Sequence, residues 1–192
     1  SGAYEEAGDA GRRRVTAGDV AVHRAWEAHL NRTAGAGAAV LNLPLPAVPL
    51  AAFGRIDDVD ELVRAAERAA AEATALLANM FRPAAGAHAD WPDLLADALN
   101  AGDPRRLTEW AQAFGLSPAH LSRGFGRVFG VTPQRYRLEA RARAALSDLA
   151  GPASLAQVAA THGFADQAHM TRSVRAVTGR TPGAWRSNPF KT

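Results

Sequence analysis

The segment from Ser117 to Arg137 recurs, with substitutions, from Asp166 to Arg186. At a shift of 49, Ser117 falls on Asp166, His120 on His169, Leu121 on Met170, Ser122 on Thr171 and Arg123 on Arg172. The register continues with Phe125 on Val174, Val128 on Val177, Gly130 on Gly179, Thr132-Pro133 on Thr181-Pro182 and Tyr136-Arg137 on Trp185-Arg186. Upstream the shift is 48: Leu107 meets Leu155, Trp110 meets Val158, Ala111 meets Ala159 and Gly115 meets Gly163. So many residue types matched in register make this a duplicated unit, one residue longer in its second turn. Any fold for the chain has to supply two like substructures.

Each unit has the order of a helix-turn-helix. A short helix carries a small residue midway, Ala111 or Ala159, which lets a second helix approach. Four residues on, Gly115 or Gly163 can take the left-handed conformation that ends a helix. Ser117 and Asp166 are suited to cap the second helix, and Pro118 stands where a missing N–H costs nothing. The run SRGFGRVFG (122–130) is unusual in carrying Gly124 and Gly126, since glycine inside a helix costs about 1 kcal/mol against alanine. On the outward face Gly126 would leave room for close approach of a partner; Gly124 has no such explanation in the sequence.

Projecting each second helix at about 100° per residue separates two faces. Leu121, Phe125 and Val128 in the first copy, and Met170, Val174 and Val177 in the second, are predicted to face the core. The opposite faces show Ala119, Ser122, Arg123, Gly126 and Arg127, then Ala168, Thr171, Arg172 and Arg175 with Gln167 at the edge. Small residues, hydroxyls, an amide and arginines with almost no acid suit a major groove. Arginine forks onto guanine, glutamine onto adenine, and alanine or the threonine methyl meets the thymine methyl. A merely solvated face normally mixes in glutamate and lysine.

Between the copies, residues 133–149 predict a helix about 25 Å long. With the flanking units added, it can set two recognition helices about one DNA turn, near 34 Å, apart. Arg135, Arg137, Arg141 and Arg143 on it serve either phosphate contacts or tethering of the units. A further helix is expected over 91–103, with Trp91, Leu94, Leu95, Ala98 and Leu99 on one side.

The first half has a different texture. The runs RRRVTAGDVAVH (12–23) and AGAAVLNLPLP (36–46), punctuated by Gly18-Asp19 and by Pro44, Pro46 and Pro49, predict three or four strands within residues 1–53. That is too few to close a barrel. Residues 57–81 predict one long helix, with Asp57 and Asp58 at its positive end and Pro83 past its close. Val59, Leu62, Ala66, Ala69, Ala73, Leu76 and Met80 form a heptad seam. It fits packing on its own domain, a homodimer seam, or a connector.

Charge divides the same way. Residues 1–89 hold 9 arginines against 11 acids, and residues 90–192 hold 13 basic residues against 8 acids. A basic second half points to an anionic partner. With 47% hydrophobic residues and 21% charged, the chain can bury cores. No apolar run approaches the roughly 18 residues of a membrane span, and no secretory leader pattern opens the sequence. There are no cysteines, which excludes disulfides, thiolate metal sites and cysteine nucleophiles, and fits a reducing, cytoplasmic setting.

Residues 90–189, through SPAHLSRGFGRVFGVTPQRYRLEAR (117–141) and SLAQVAATHGFADQAHMTRSVRAVTGRTPGAWR (154–186), resemble the DNA-binding domain of the AraC/XylS transcription regulators. The resemblance implies seven helices, two of them reading DNA. It places base contacts on Ala119, Ser122 and Arg123, and on Gln167, Ala168, Thr171 and Arg172. Met170 and Val174 stand where that family usually has large aromatics, which predicts looser packing in the second copy. Gly18-Asp19-Val20, His23, Ala28 to Arg32 and Val40 to Leu43 are similar to the later strands of the family's cupin-like sensor barrel. That barrel needs strands before Ser1, so a fragment of a longer sensor, or a truncated one, is expected.

The combined expectation is a mainly α bacterial regulator. A partial cupin-like segment (1–53) and a linker or dimerisation helix (57–81) precede a double helix-turn-helix domain (90–189). Its partner is double-stranded promoter DNA, bound through Ala119, Ser122, Arg123, Arg127, Gln167, Ala168, Thr171, Arg172 and Arg175. A small-molecule effector, RNA polymerase and a second copy are further expected partners; no cofactor, metal, catalytic residue or membrane is expected. The rival readings are a metal-dependent cupin enzyme on His23 and His29, and a protein-interaction module using 57–81. The first lacks the roughly three protein ligands that a catalytic metal wants. A DNA-repair methyltransferase sharing the domain would need acceptor cysteines. Glu5, Glu6, Glu61 and Glu67 look solvated, and His120 and His169 suit packing or a phosphate contact.

Overall fold

Glycines taking left-handed backbone set the first strands. The computed structural model describes residues 2–44, 49–84 and 90–187, the backbone alone over 34–36. Strand β1 (Gly2–Gly8) turns through Asp9-Ala10 into β2 (Gly11–Thr16), with Gly11 at φ +94°, and Gly18 at φ +88° leads into β3 (Asp19–Ala21). β4 (His29–Ala38) pairs with the other side of β1, giving an antiparallel sheet in the order β2-β1-β4. A second antiparallel sheet has the order β3-β5-β6, with β5 at Phe53–Arg55 and β6 at Arg82–Pro83. Five strands thus begin by Phe53, against the expected three or four.

The expected strand over 36–46 is mostly absent. β4 ends at Ala38, just after Gly37 at φ +84°, and residues 39–44 run outside any strand; Leu45 and Pro46 lie outside the described residues. Val40 and Leu41 are exposed. Glu6 also departs from expectation. It is 3% exposed, opposite Arg13 in the β1–β2 ladder, which is buried to the same degree and lies over the Phe53 ring at 4.3 Å. Burial pushes the Arg13 guanidinium below its ordinary range, and the Glu6 carboxylate opposes that shift.

In place of one helix over 57–81 there are two, α1 (Val59–Arg68) and α2 (Ala70–Met80). Asp58 caps α1, its carboxylate accepting from Glu61 N–H at 2.7 Å. Ala69 between them is extended, at φ −162° and ψ 132°. Neither glycine nor proline stands there, so local chemistry does not make the break. The helices pack on each other instead, and Leu62, Ala65, Ala73 and Leu77 join Ile56 in one cluster. Ala69 of the predicted seam is exposed at the break. β6 then returns to pair with β5, so the helix pair belongs to the first of two compact units, residues 1–89 and 90–192.

The second unit holds seven helices among its described residues: α3 (Trp91–Asn100), α4 (Leu107–Ala113), α5 (Pro118–Phe129), α6 (Pro133–Asp148), α7 (Leu155–Thr161), α8 (Gln167–Thr178) and α9 (Pro182–Ser187). Residues 188–189 of the expected domain lie outside the described residues. In α3, Leu95, Ala96 and Leu99 are buried, while Leu94, assigned to the same side by pattern, is 48% exposed. Asp93 takes an inward place instead, at 3% exposed.

Candidate nucleic-acid interface

The duplicated sequence folds as duplicated geometry. In the first copy α4 ends at a turn with Gly115 at φ +65°, and Ser117 Oγ accepts from His120 N–H to cap α5. In the second, α7 ends with Gly163 at φ +68°, and Asp166 Oδ1 accepts from His169 N–H to cap α8. Gly130 and Gly179 end α5 and α8 in the left-handed region, at φ +75° and +74°. Thr132 and Thr181 then open α6 and α9, each taking a backbone N–H three residues on. Ala111 and Ala159 are both 1% exposed where the paired helices meet.

Behind α5, Leu121, Phe125 and Phe129 are buried, and the Phe129 ring lies 4.6 Å from Phe125 and 5.4 Å from Tyr136. Phe129 thus takes the deep position that the pattern assigned to Val128, which is half-buried. Behind α8, Met170, Val174 and Ser173 are buried, and Val177 is half-buried. The second copy is not looser at its smaller residues: Met170 and Val174 are both 0% exposed, with Phe164 and Trp185 in the same cluster. Thr178 stands at the repeat position of Phe129 and accepts a hydrogen bond from Trp185 Nε1 at 2.9 Å. An aromatic stack in one copy is a polar link in the other.

Gly124 has a structural reason. A Cβ there would come within 2.6 Å of Trp91 Cζ2 and 2.8 Å of Cη2, so the glycine admits the α3 indole against α5. Gly126 is different. A Cβ there meets only Val131 O at 3.7 Å, an ordinary contact.

The opposite faces carry the residues singled out for DNA. Ala119, Arg123 and Arg127 on α5, and Gln167, Ala168, Arg172 and Arg175 on α8, are exposed; Ser122 and Thr171 are half-buried. Neither helix contains an Asp or Glu. The side chains of Arg123, Arg172 and Arg175 make no hydrogen bond or ion pair among the described residues, whereas Arg127 has a partner within the protein. The faces are alike without being identical. Ala119, Ser122 and Arg123 overlay Ala168, Thr171 and Arg172, but Pro118 stands for Gln167 and Gly126 for Arg175.

Residues 110–188, which span both copies, match a protein family described as a helix-turn-helix domain. The second unit therefore holds a helix-turn-helix domain of that family. Solved structures align with about half of the chain. A transcriptional regulator with an AraC-type domain from Chromobacterium violaceum is 25% identical, with 50% of this chain and 89% of that chain covered and a TM-score of 0.46. A probable AraC family regulator from Rhodopseudomonas palustris CGA009 is 22% identical, covering 52% and 96%, with a TM-score of 0.47. The DNA-binding domain of the global transcriptional factor AdpA, solved with a target DNA, is 22% identical, covering 54% and 100%, at 0.47. No curated protein sequence matches the chain.

Elsewhere in the second unit, arginines are held internally. Arg135 pairs with Glu139, Arg137 Nη2 donates to Arg105 O at 2.6 Å, and Arg141 Nη1 donates to Gly163 O at 3.1 Å. Arg143 also has a partner within the protein. Arg186 bonds Leu149 O and Ala153 O at 3.1 and 2.7 Å. For Arg137 and Arg141 the alternative between phosphate contact and tethering falls to tethering. These contacts were not read from the sequence, although Arg137 and Arg186 share a repeat position that could have marked them. His169 accepts from Ala165 N–H and meets the Phe164 ring edge-on at 5.3 Å, while His120 is exposed.

In the first unit, His23 and His29 stack on each other at 4.1 Å, and His23 Nε2 lies 3.4 Å from Glu6 Oε2. Among the described residues no group of three or more His, Asp or Glu side chains is placed to hold a metal ion. None of the described helices is long and apolar enough to cross a membrane.

Proposed function

We propose that the chain is a sequence-specific regulator that places α5 and α8 in successive major grooves of double-stranded promoter DNA. The observation that carries this reading is the pair of acid-free faces on two capped helices, on which Arg123, Arg172 and Arg175 are exposed and make no hydrogen bond or ion pair among the described residues. Arg123 and Arg172 are the principal base readers, forking onto guanine; Gln167 reads adenine, and Ala119, Ala168 and the Thr171 methyl meet thymine methyls. Ser122, Arg127 and Arg175 complete the contacts at the groove and its phosphate edge. Because Gln167 and Arg175 lack counterparts on α5, the two half-sites differ, and the operator is a directional sequence.

Control enters through the first unit. A cavity of about 270 Å³ lies there, walled by Val15, Val22, Ile56 and Leu62 with Tyr4 and His23 supplying polar edges. A cavity that sets apolar walls beside the polar groups of Tyr4, Thr16, Asp19, His23 and Asn42 suits a small-molecule effector with both apolar and hydrogen-bonding parts. Self-association through 57–81 would use the outer faces of α1 and α2, since Leu62 and Ala73 already sit in the unit's own core. RNA polymerase is the further partner of such a regulator, which works in the cytoplasm where the promoter is. The reading assigns the chain no reaction.

The test is selection of duplexes from a randomised pool by the full chain, followed by gel-shift titration. Arg123→Ala and Arg172→Ala are each expected to weaken the selected duplex by roughly 10- to 100-fold, about 1–3 kcal/mol per lost bidentate contact, with unchanged melting temperature. If both variants keep sequence-specific binding, the groove assignment is wrong.

A further inference from the structure

Helix α6 carries two guanidinium groups one turn apart, and both are bound to backbone carbonyls. Arg137 Nη2 donates to Arg105 O, two residues ahead of α4. Its repeat partner Arg186 donates by the same nitrogen to Ala153 O, two residues ahead of α7. This is therefore the internal clamp of each copy, closing the helix that follows the recognition helix onto the entry of the pair. Asn100 Nδ2 donates to Tyr136 Oη at 3.0 Å beside it, fixing α3 to the same end of α6.

Arg141 does something else. It reaches from α6 across to Gly163 O, the turn of the second copy, and the guanidinium lies so close that a Cβ on Gly163 would meet its Cζ at 3.6 Å. At the far end of the helix, Asp148 Oδ2 pairs with His162 Nε2 at 2.8 Å, next to that same turn. Helix α6 is thus tied to the first copy by Arg137, and it joins the second through Arg141 together with Ala142, Ala145 and Leu149, which share one buried cluster with Val158, Phe164, Met170 and Val174. Like charges four residues apart on a helix repel. Burial first, and then the charge of Arg141, pushes Arg137 below the ordinary arginine range. The only acid within the first three turns of α6, Glu139, is taken by Arg135. Asp103, whose charge opposes this shift, is itself paired with Arg105, and among the described residues Arg137 and Arg141 are each held by a carbonyl rather than by an ion pair.

We infer that Arg137 and Arg141 are positioning residues that set the spacing between the two DNA half-sites by clamping both recognition units to one helix. Two sites on a rigid connector bind as one only when the spacing matches, whereas a loosened connector loses effective concentration at the right spacing and tolerates wrong ones. Each added base pair turns the second half-site by about 35° and moves it by about 3.4 Å, which makes spacing a sensitive reporter. Arg141 is the more informative of the two, because its contact joins the copies rather than closing one.

The inference rests on the DNA-binding reading, and the experiment separates the two. If the full chain enriches no duplex from a randomised pool, the DNA-binding reading fails. Given a selected duplex, variants with one or two base pairs inserted or removed between the half-sites are titrated with the parent chain, Arg141→Ala and Arg141→Lys. The parent is expected to lose on the order of tenfold at each changed spacing. Arg141→Ala should bind the selected spacing about five- to tenfold more weakly and then vary by no more than about twofold across spacings. Arg141→Lys, which keeps one donor for the Gly163 carbonyl, should restore part of the parent's preference. A spacing profile of Arg141→Ala parallel to the parent's, whether weaker throughout or unchanged, overturns the inference. That result would make Arg141 a phosphate contact or a stabilising residue only. Should Arg141→Ala melt below the assay temperature, Arg141→Gln is read by the same criterion.

Discussion

At the scale of single residues, two glycines two positions apart in α5 have different reasons to be there. Gly124 is required by the Trp91 indole, whose ring atoms would lie 2.6 and 2.8 Å from a Cβ. Gly126 faces nothing closer than 3.7 Å. In an unhindered helix, glycine to alanine gains about 1 kcal/mol. Gly126→Ala is therefore expected to stabilise the free protein by up to about 1 kcal/mol. Gly124→Ala should destabilise it by about 1–3 kcal/mol through forced displacement of the indole. Denaturant midpoints of the two variants decide it: shifts of the same sign would remove the packing explanation. The sequence shows both glycines but not their neighbours, because Trp91 is more than thirty residues away and its direction follows from the placement of α3.

At the scale of elements, the two copies share caps and turns and differ in what fills them. Ser117 and Asp166 cap their helices through backbone N–H groups three residues on. Ser117→Ala and Asp166→Ala are each expected to cost about 1 kcal/mol in thermal or chemical unfolding. The link between Trp185 Nε1 and Thr178 Oγ1 exists only in the second copy. Thr178→Val keeps the shape and removes the hydroxyl that accepts from the indole N–H and from Arg180 N–H, for a loss of about 1–3 kcal/mol. An equally stable Thr178→Val protein would mean that these hydrogen bonds do not hold α9 in place. These caps are legible in the sequence since they depend on residues within four positions. The clamps of Arg137, Arg141 and Arg186 are not, since each reaches a carbonyl more than twenty residues away.

At the scale of the whole molecule, charge and duplication point the same way. The basic excess lies in residues 90–192, with arginines exposed on both recognition faces. Binding to the selected duplex should weaken with salt, with a log–log slope of about −0.9 for each phosphate neutralised. Replacing Arg127 or Arg175 by alanine should lower that slope by about one if the residue holds a phosphate. A slope near zero for the parent chain would contradict an electrostatic footprint altogether. Reversing one half-site while keeping the other should cost the parent chain most of its specific affinity, because Gln167 and Arg175 make the two faces unlike.

What the sequence determined by itself was the set of features that depend on near neighbours and on the repeat: the two helix-turn-helix units, their caps and glycine turns, and the identity of the outward arginines. Periodicity reads these because a helix places residues three and four apart on one face whatever surrounds it. Tertiary structure decided the rest. It split 57–81 at Ala69, where no residue type marks a break, so that Leu62 and Ala65 of one helix and Ala73 and Leu77 of the next could share one core. It buried Glu6, which as a charged residue was expected to be solvated, opposite Arg13, and it turned Leu94 outward in α3. In each of these cases burial depends on which distant element covers the face. A local pattern cannot specify that, because the covering partner is brought in by the chain's path and not by its neighbours in sequence.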